Sequence, residues 1–416
     1  MKNWIILLFI LIFRVDALFA SVWDDVNFWN EAYEEKYAEW IRSENVSTTI
    51  FSDSNSKYFG IHTDCADTAY AFRAIFAFEN QLPFSIKNPS GGRKSFYITN
   101  RTRSYDKITS PEKRLIAFIN DIGESVGTES LSHFDTYPIA INSINSGSLF
   151  LYKIDGKFNT FIRHTYIIRD VNDNGSFDVI YSTQSLKYSK LPLVRNQEKD
   201  FEELPFSPWG FRRFRWPNLL GQPIEKLPIE LKASNEQYVM AAKLEANDFF
   251  NYVRKTLSTV VENNDQRFIK AMQTLCHEAK SRVEYVNQGV LYDEEIKHRC
   301  MNYDEYDSYS TPVKDSMLKN AFKKVAYFYN ESLKDGSFEK IPFSYQHFYE
   351  IIFENSLDNR EDLKTFCEIK YASDYSIDLA DLYQRVNADS ISSHPNDSLA
   401  ARWGEDGPRT NCKIWY

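Results

Sequence analysis

The hydrophobic pattern changes near Leu227, and this change limits the folds that the chain can adopt. Before it, runs such as Leu149–Ile154 have the period of two that is typical of strands. After it, apolar residues from Val239 to Val260 recur at steps of three and four, which predicts amphipathic helices. The sequence therefore predicts an α+β fold, with an N-terminal domain of antiparallel strands over 21–227 and an all-α helical domain over 228–416.

Local patterns predict the individual elements. The predicted helices of the first half are Asp24–Arg42, Asp67–Gln81 and Pro111–Asn120, and the predicted strands are Leu149–Ile154, Phe161–Arg169 and Phe177–Thr183. In the second half a helix is predicted to start at Ser234, where Gln237 completes a capping box. Two further apolar faces, from Phe268 to Val286 and from Met317 to Phe328, predict helices packed antiparallel.

The first 20 residues have the pattern of a signal peptide. A lysine precedes the apolar run Trp4–Phe13, which is too short to span a membrane, and Leu18-Phe19-Ala20 offers a cleavage site. Arg14 and Asp16 are unusual so close to such a site, and a retained N-terminal anchor stays open as the alternative. We expect a protein exported to the periplasm or secreted, with no stable membrane span.

The net charge limits the classes of partner. The chain carries a formal net charge of −9, so it repels polyanions, and nucleic acid is not an expected partner. Pro208–Pro217 interleaves aromatic residues with arginines, a combination that can stack on sugars, bases or peptide carboxylates. We interpret this segment as the seam between the two domains, with a cleft wall as the alternative.

Export changes the interpretation of the cysteines, because thiols pair in an oxidising compartment. The chain has five cysteines: Cys65, Cys276, Cys300, Cys367 and Cys412. Pairing of nearest neighbours predicts the disulfides Cys276–Cys300 and Cys367–Cys412 and leaves Cys65 free. The ligand types of Cys276-His277 and of His298 with Cys300 would also suit zinc, but export favours disulfides.

Cys65 is the candidate nucleophile. Thr63 or Asp64 can cap the following helix, which places Cys65 in its first turn, where the helix dipole lowers a thiol pKa. Asp67 in the same turn acts in the opposite direction, so activation needs a nearby imidazolium. The alternative is a small buried cysteine in a packed helix.

His164 is the candidate base for this thiol. It lies on a predicted strand, from which its side chain can point into a cleft. His62 is close to Cys65 in sequence but is poorly placed as a base, and His133 in a loop-like stretch is a weaker rival. The alternative is a structural histidine on a strand.

These residues resemble a known family. Tyr58-Phe59-Gly60, Asp64-Cys65-Ala66, Leu82-Pro83 and the segments Gly147–Phe150 and Arg163–Tyr166 are similar to motifs of NlpC-type papain-like cysteine peptidases, over about residues 58–185. The resemblance implies that Cys65 attacks an amide bond in a peptide or cell-wall stem peptide, with His164 as base and no cofactor for catalysis. Ala66 and Asp67 replace the family's Ser-Gly pair. The transglutaminase-like branch has the same order of Cys helix and His strand and stays open.

The third catalytic group follows from a predicted hairpin. If the chain turns about Asn174, Asp178 faces Asp170, and Gln184 faces His164. The resembled family orients its histidine with a His, Asn or Gln on this strand. We therefore expect Gln184, rather than Asp178, to hold the imidazole.

The turn of this hairpin is itself a candidate metal site. Asp170, Asn172, Asn174 and Asp178 place oxygen side chains at positions 1, 3, 5 and 9 of a loop with Gly175 at position 6, which is the order of a calcium loop. The alternative is an Asx-rich turn that holds no ion. Ca²⁺ is thus the candidate ion for this loop.

Three functions remain open. The leading prediction is an exported thiol hydrolase with Cys65, His164 and Gln184 as catalytic residues. The alternatives are a non-catalytic exported binding protein of papain-like fold and a transglutaminase-like acyl transferase. The sequence does not predict which partner the helical domain binds.

Overall fold

The structure is a computed structural model that describes residues 21–91, 96–155, 161–183, 191–354 and 360–415. The predicted signal peptide and Gln184 lie outside the described residues. The described part of the chain is mixed α and β, with antiparallel strands in the first half and a mainly helical second half, as predicted.

The strands form one large sheet and two hairpins. The described strands are β1 Ser85–Lys87, β2 Tyr97–Thr99, β3 Thr136–Pro138, β4 Leu149–Asp155, β5 Phe161–Val171, β6 Phe177–Tyr181, β7 Val194–Lys199, β8 Gly210–Phe214, β9 Ile369–Ala372 and β10 Tyr375–Ile377. Six of them form an antiparallel sheet in the order β3-β8-β4-β5-β6-β7. The central strands are therefore β4 and β5, and β5 carries His164.

Helices cover the sheet and build the second half. The described α-helices are α1 Glu31–Arg42, α2 Cys65–Glu79, α3 Pro111–Gly123, α4 Thr128–Ser130, α5 Glu236–Ala241, α6 Ala246–Leu257, α7 Asn264–Glu295, α8 Tyr303–Tyr309, α9 Pro312–Asp335, α10 Phe343–Phe353, α11 Arg360–Phe366, α12 Leu379–Asn387 and α13 Leu399–Arg402. Among the described residues, no helix combines the length and the apolar character that a membrane crossing requires.

The sheet is buried on both faces. Leu149, Leu151 and Ile167 pack on one side in a core shared with α2. The residues between them in the sequence, such as Phe150 and Ile168, point to the other side and pack with Phe249 and Val253 of α6. Because successive side chains of a strand point to opposite faces, β4 and β5 contribute to both cores.

α2 is the most deeply placed helix of the first half. Twelve of its 15 residues are buried, since it lies between α1, α3 and the sheet. Its N-cap is Asp64, one of the two residues predicted for this position. Asp64 and Asp67 form a reciprocal capping box. The helix ends at Glu79, before Pro83. This packing fixes the position of its first residue, Cys65.

The core of the sheet extends past the predicted domain boundary at 227. The single helix predicted from Ser234 is divided into α5 and α6, and α6 packs on the sheet. The predicted capping box is not formed, because the Gln237 side chain is buried and bonds the backbone of Phe211 instead. The second half is helical but not all-α, since β9 and β10 form a hairpin there.

The disulfides differ from the predicted pairs. The bonded pairs are Cys276–Cys367 and Cys300–Cys412, so the nearest-neighbour prediction was wrong. Cys276 lies within α7, and Cys300 follows its end, so about 30 Å of helix separates them. A rigid helix cannot bring the two sulfurs together. With all four thiols in disulfides, the zinc alternative loses its cysteine ligands.

Candidate functional site

Cys65 is the free thiol of the described residues, as predicted. It is the first residue of α2, and its sulfur lies 3.8 Å from the hydroxyl of Thr128 at the start of α4. The backbone of Thr165 on β5 is its other hydrogen-bond partner. Within the described part of the chain, no imidazole nitrogen bonds this sulfur.

The environment of Cys65 disfavours the thiolate. Burial, and after it the negative charge of Asp64, raise the pKa of the Cys65 thiol to about 12. Hydrogen bonds from Thr128 and from the backbone of Thr165 lower this pKa, but by less. This corrects the expectation of a pKa lowered by the helix N-terminus. Desolvation and the nearby carboxylates outweigh the dipole. At neutral pH, Cys65 is a protonated thiol.

The side chain of His164 points to the face of the sheet opposite to the one that α2 covers. Thr165, the residue that contacts the cysteine, belongs to the face covered by α2, and side chains alternate along β5. The imidazole of His164 contacts three rings of the other face, with centroid distances of 5.8 Å to Tyr152, 4.5 Å to Tyr166 and 5.0 Å to Tyr181. The structure therefore does not bring the predicted nucleophile and base together.

The surroundings of His164 keep it neutral. Burial, with a smaller contribution from the positive charge of Lys199, lowers the pKa of His164 to about 3. Neither ring nitrogen makes a hydrogen bond to a described residue. His164 is half-buried, and its imidazole lies among three tyrosine rings with no hydrogen bond to a described residue.

This environment predicts an acid-dependent loss of stability. Because the folded state holds His164 unprotonated, the unfolded state binds an extra proton below pH 6.5, and stability falls as the pH decreases toward 3. The contribution reaches about 3 kcal/mol at pH 4. We expect His164→Gln to lose less stability than the parent between pH 7 and 4, measured by urea unfolding at each pH.

His298 provides the control for this measurement. It is exposed and pairs with Asp293, which raises its pKa. His298→Gln should therefore shift the pH dependence in the opposite direction, toward a slightly greater loss in acid. Equal slopes for the parent and His164→Gln would contradict the neutral state of His164.

A cluster of charges lies beside Cys65, and sequence reasoning missed it. Glu129, the neighbour of Thr128, accepts hydrogen bonds from Arg163 at 2.6 Å and Lys153 at 3.2 Å, and His133 lies 3.3 Å from the same carboxylate. These charged side chains lie near the tip of α2. No motif marks Thr128 or Glu129, because their position depends on how α4 packs against β5.

The other histidines near Cys65 make their hydrogen bonds to other residues. His133 directs its Nδ1 to Ser132 and to the Glu129 carbonyl within its own turn. His62 is exposed, and its backbone N–H donates to Asn120. Neither histidine contacts the Cys65 sulfur.

The hairpin after His164 has the predicted pairing at its turn. Asp170 faces Asp178, which confirms that part of the prediction. A bulge after Ile168 then shifts the register, so that Ile167 pairs with Ile180. The predicted pairing of His164 with Gln184 no longer follows from the pairing at the turn. Gln184 itself is not among the described residues, and its role stays a prediction.

The four predicted calcium ligands are connected by hydrogen bonds within and around the turn. Asn172 donates to Asp178 and to the Ser176 hydroxyl, while the Asn174 oxygen accepts from Ser176. Asp170 accepts from the N–H of Val171. In the described part of the chain, no group of three or more His, Cys, Asp or Glu residues is arranged to hold a metal ion. This arrangement favours the Asx-turn alternative, and calcium binding stays a prediction.

Comparisons with known proteins leave the class of this site open. No protein-family model, curated protein or solved structure matches the chain.

Proposed function

We propose that this chain is a non-catalytic binding protein of an oxidising compartment, in which Cys65 is a structural thiol. One observation carries this proposal: the sulfur of Cys65 has Thr128 and Thr165 as its hydrogen-bond partners, and no imidazole of the described residues bonds it. A cysteine nucleophile needs a base within hydrogen-bond reach of its sulfur, or a pKa low enough to ionise without one. Cys65 has neither, since its partners are Thr128 and Thr165 and its pKa is raised.

The two disulfides support the proposal of an oxidising compartment. Cys276–Cys367 and Cys300–Cys412 close long loops, and such bonds persist in oxidising environments. Export through the first 20 residues belongs to the same proposal. The thiol hydrolase and the transglutaminase-like transferase have less support, because both need an imidazole beside Cys65.

The reactivity of Cys65 toward iodoacetamide tests this proposal. A rise of the thiol pKa from 9 to about 12 reduces the thiolate fraction at neutral pH by about three orders of magnitude. We expect native protein at pH 7 to be alkylated about 1,000-fold more slowly than the urea-unfolded, unreduced protein. The measurement is intact mass against time, with one thiol available in both states.

Two variants sharpen the result. His164→Gln should leave the alkylation rate of the native protein unchanged, whereas it would slow alkylation if the imidazole activated the sulfur. Thr128→Val removes the hydroxyl partner of the sulfur and should not increase the rate. Rapid labelling of the parent below neutral pH, lost in His164→Gln, would overturn this proposal and favour a catalytic Cys65–His164 pair.

A further inference from the structure

A cavity away from Cys65 and His164 has the features of a ligand site. It has a volume of about 390 Å³, within the range of small-molecule sites, and lies between the β1–β2 hairpin, the turn Leu131–Asp135 and the segment after β8. Its lining consists of Lys87, Tyr97, His133, Phe134, Arg215 and residues 220–223. Among the described residues, no aspartate or glutamate lines it.

Lys87 supplies one of the positive charges of the cavity. Its ammonium lies 4.0 Å from the ring centroid of Phe96 and 5.7 Å from that of Tyr97. It makes no ion pair with a described residue. Contacts with ring faces hold a cation in place but leave its charge available.

Arg215 supplies a second charge, which is held rigidly. Its Nε donates to the carbonyl of Thr136 at 3.1 Å, and its Nη1 donates to the carbonyl of Gln222 at 2.9 Å. These acceptors are neutral, and Nη2 makes no hydrogen bond to a described residue. The guanidinium is thus fixed in position before any ligand binds, which reduces the entropy cost of binding.

Asp135 is a buried acid that interacts with both Lys87 and Arg215, and it neutralises their positive charge only in part. Asp135 accepts from the hydroxyl of Tyr70 at 2.6 Å and from the backbone N–H of Lys87 at 2.7 Å. Burial is the largest cause that raises the pKa of Asp135, to about 7. Near neutral pH this carboxyl is only partly ionised, so the cavity keeps a net positive character in an acidic protein.

We propose that this cavity binds a small organic carboxylate with a flat apolar body. The two cations attract the carboxylate, and the rings of Tyr97 and Phe134, 43% and 46% exposed, offer surfaces for the flat part. The inference goes beyond the proposed function, because neither Cys65 nor His164 lines the cavity.

Calorimetric titration of the full chain with benzoate tests the proposal. We expect benzoate to bind saturably at one site. Acetate, which lacks the ring, and benzamide, which lacks the carboxylate, should each bind at least ten-fold more weakly. Lys87→Met should weaken benzoate binding at least ten-fold. Its backbone bond to Asp135 does not depend on the side chain, so the variant should fold. Lys243→Met, an exposed lysine outside the cavity, is the matched control and should bind as the parent does.

Further measurements test separately the ring surface, the positive charge and the class of ligand. Tyr97→Ala should weaken benzoate and leave acetate unchanged, which tests the ring surface independently of the charge. Equal affinity of the parent and Lys87→Met for benzoate would overturn the site. Inorganic phosphate binding as tightly as benzoate, with the same dependence on Lys87, would overturn the organic ligand class.

Discussion

Replacing Asp315 with asparagine should lower the free energy of unfolding by about 3–5 kcal/mol. Asp315 accepts from the Arg282 Nε at 2.6 Å, and Arg282 is fully buried. The same carboxylate accepts from the hydroxyls of Thr311 and Ser393. Neutralising it leaves a guanidinium without a countercharge in the protein interior, where water cannot replace the lost partner. Urea unfolding followed by circular dichroism measures the loss.

An exposed ion pair provides the control, between Lys319 of the same helix, α9, and Asp389, which follows α12. Lys319 and Asp389 have side chains that are 45% and 81% exposed. Asp389→Asn removes this pair and should cost about 0–1 kcal/mol, because water screens exposed charges. The asparagine also tolerates the left-handed backbone of this position. Similar losses in both variants would mean that the Arg282–Asp315 pair is not buried as described.

Removing the Cys276–Cys367 disulfide should cost about 2–5 kcal/mol. The bond joins residues 91 apart in sequence, so its loss greatly increases the freedom of the unfolded chain. Both half-cystines are buried, and their removal also leaves space in the helical core. The double variant Cys276→Ala with Cys367→Ala, unfolded in urea without reductant, gives the measurement.

The second disulfide separates these two contributions. Cys300 and Cys412 are 112 residues apart, but Cys300 is exposed and Cys412 is only half-buried. The double alanine variant of this pair should therefore lose the entropic part alone and be the less destabilised of the two. An unchanged stability in both variants would show that these bonds do not form in the native protein.

Local patterns were sufficient to place many elements of the fold. The predicted helix Asp67–Gln81 corresponds to α2 at Cys65–Glu79, and the predicted strand Leu149–Ile154 corresponds to β4. The apolar face predicted from Met317 to Phe328 lies within α9. Such features depend on periodicity and on residues within one or two turns, which a sequence displays directly.

The relation between Cys65 and His164 depends on information that the sequence does not display. Which face of β5 carries α2 determines whether His164 points toward the helix or away from it. A strand with one exposed face would mark that face by polar residues. Leu149, Phe150 and Leu151 of the neighbouring strand are all buried, so apolar side chains occupy both faces and the pattern does not distinguish them.

The disulfide pairs were mispredicted for a related reason. Proximity in sequence favoured Cys276 with Cys300, but a continuous helix holds neighbours in sequence far apart in space. The partners Cys367 and Cys412 come from segments whose approach to α7 depends on tertiary packing. Likewise, Thr128 reaches Cys65 only through the packing of α4.

The length of α7 has a mechanical consequence for the whole molecule. Its Leu275 belongs to the helical core, while its Tyr285 belongs to the core on the second face of the sheet. Glu278 of the same helix accepts from Asn196 on β7 at 2.6 Å. One helix of 32 residues therefore connects the two halves of the molecule. Because α7 contributes to both cores, we expect the two halves to unfold as a single cooperative unit.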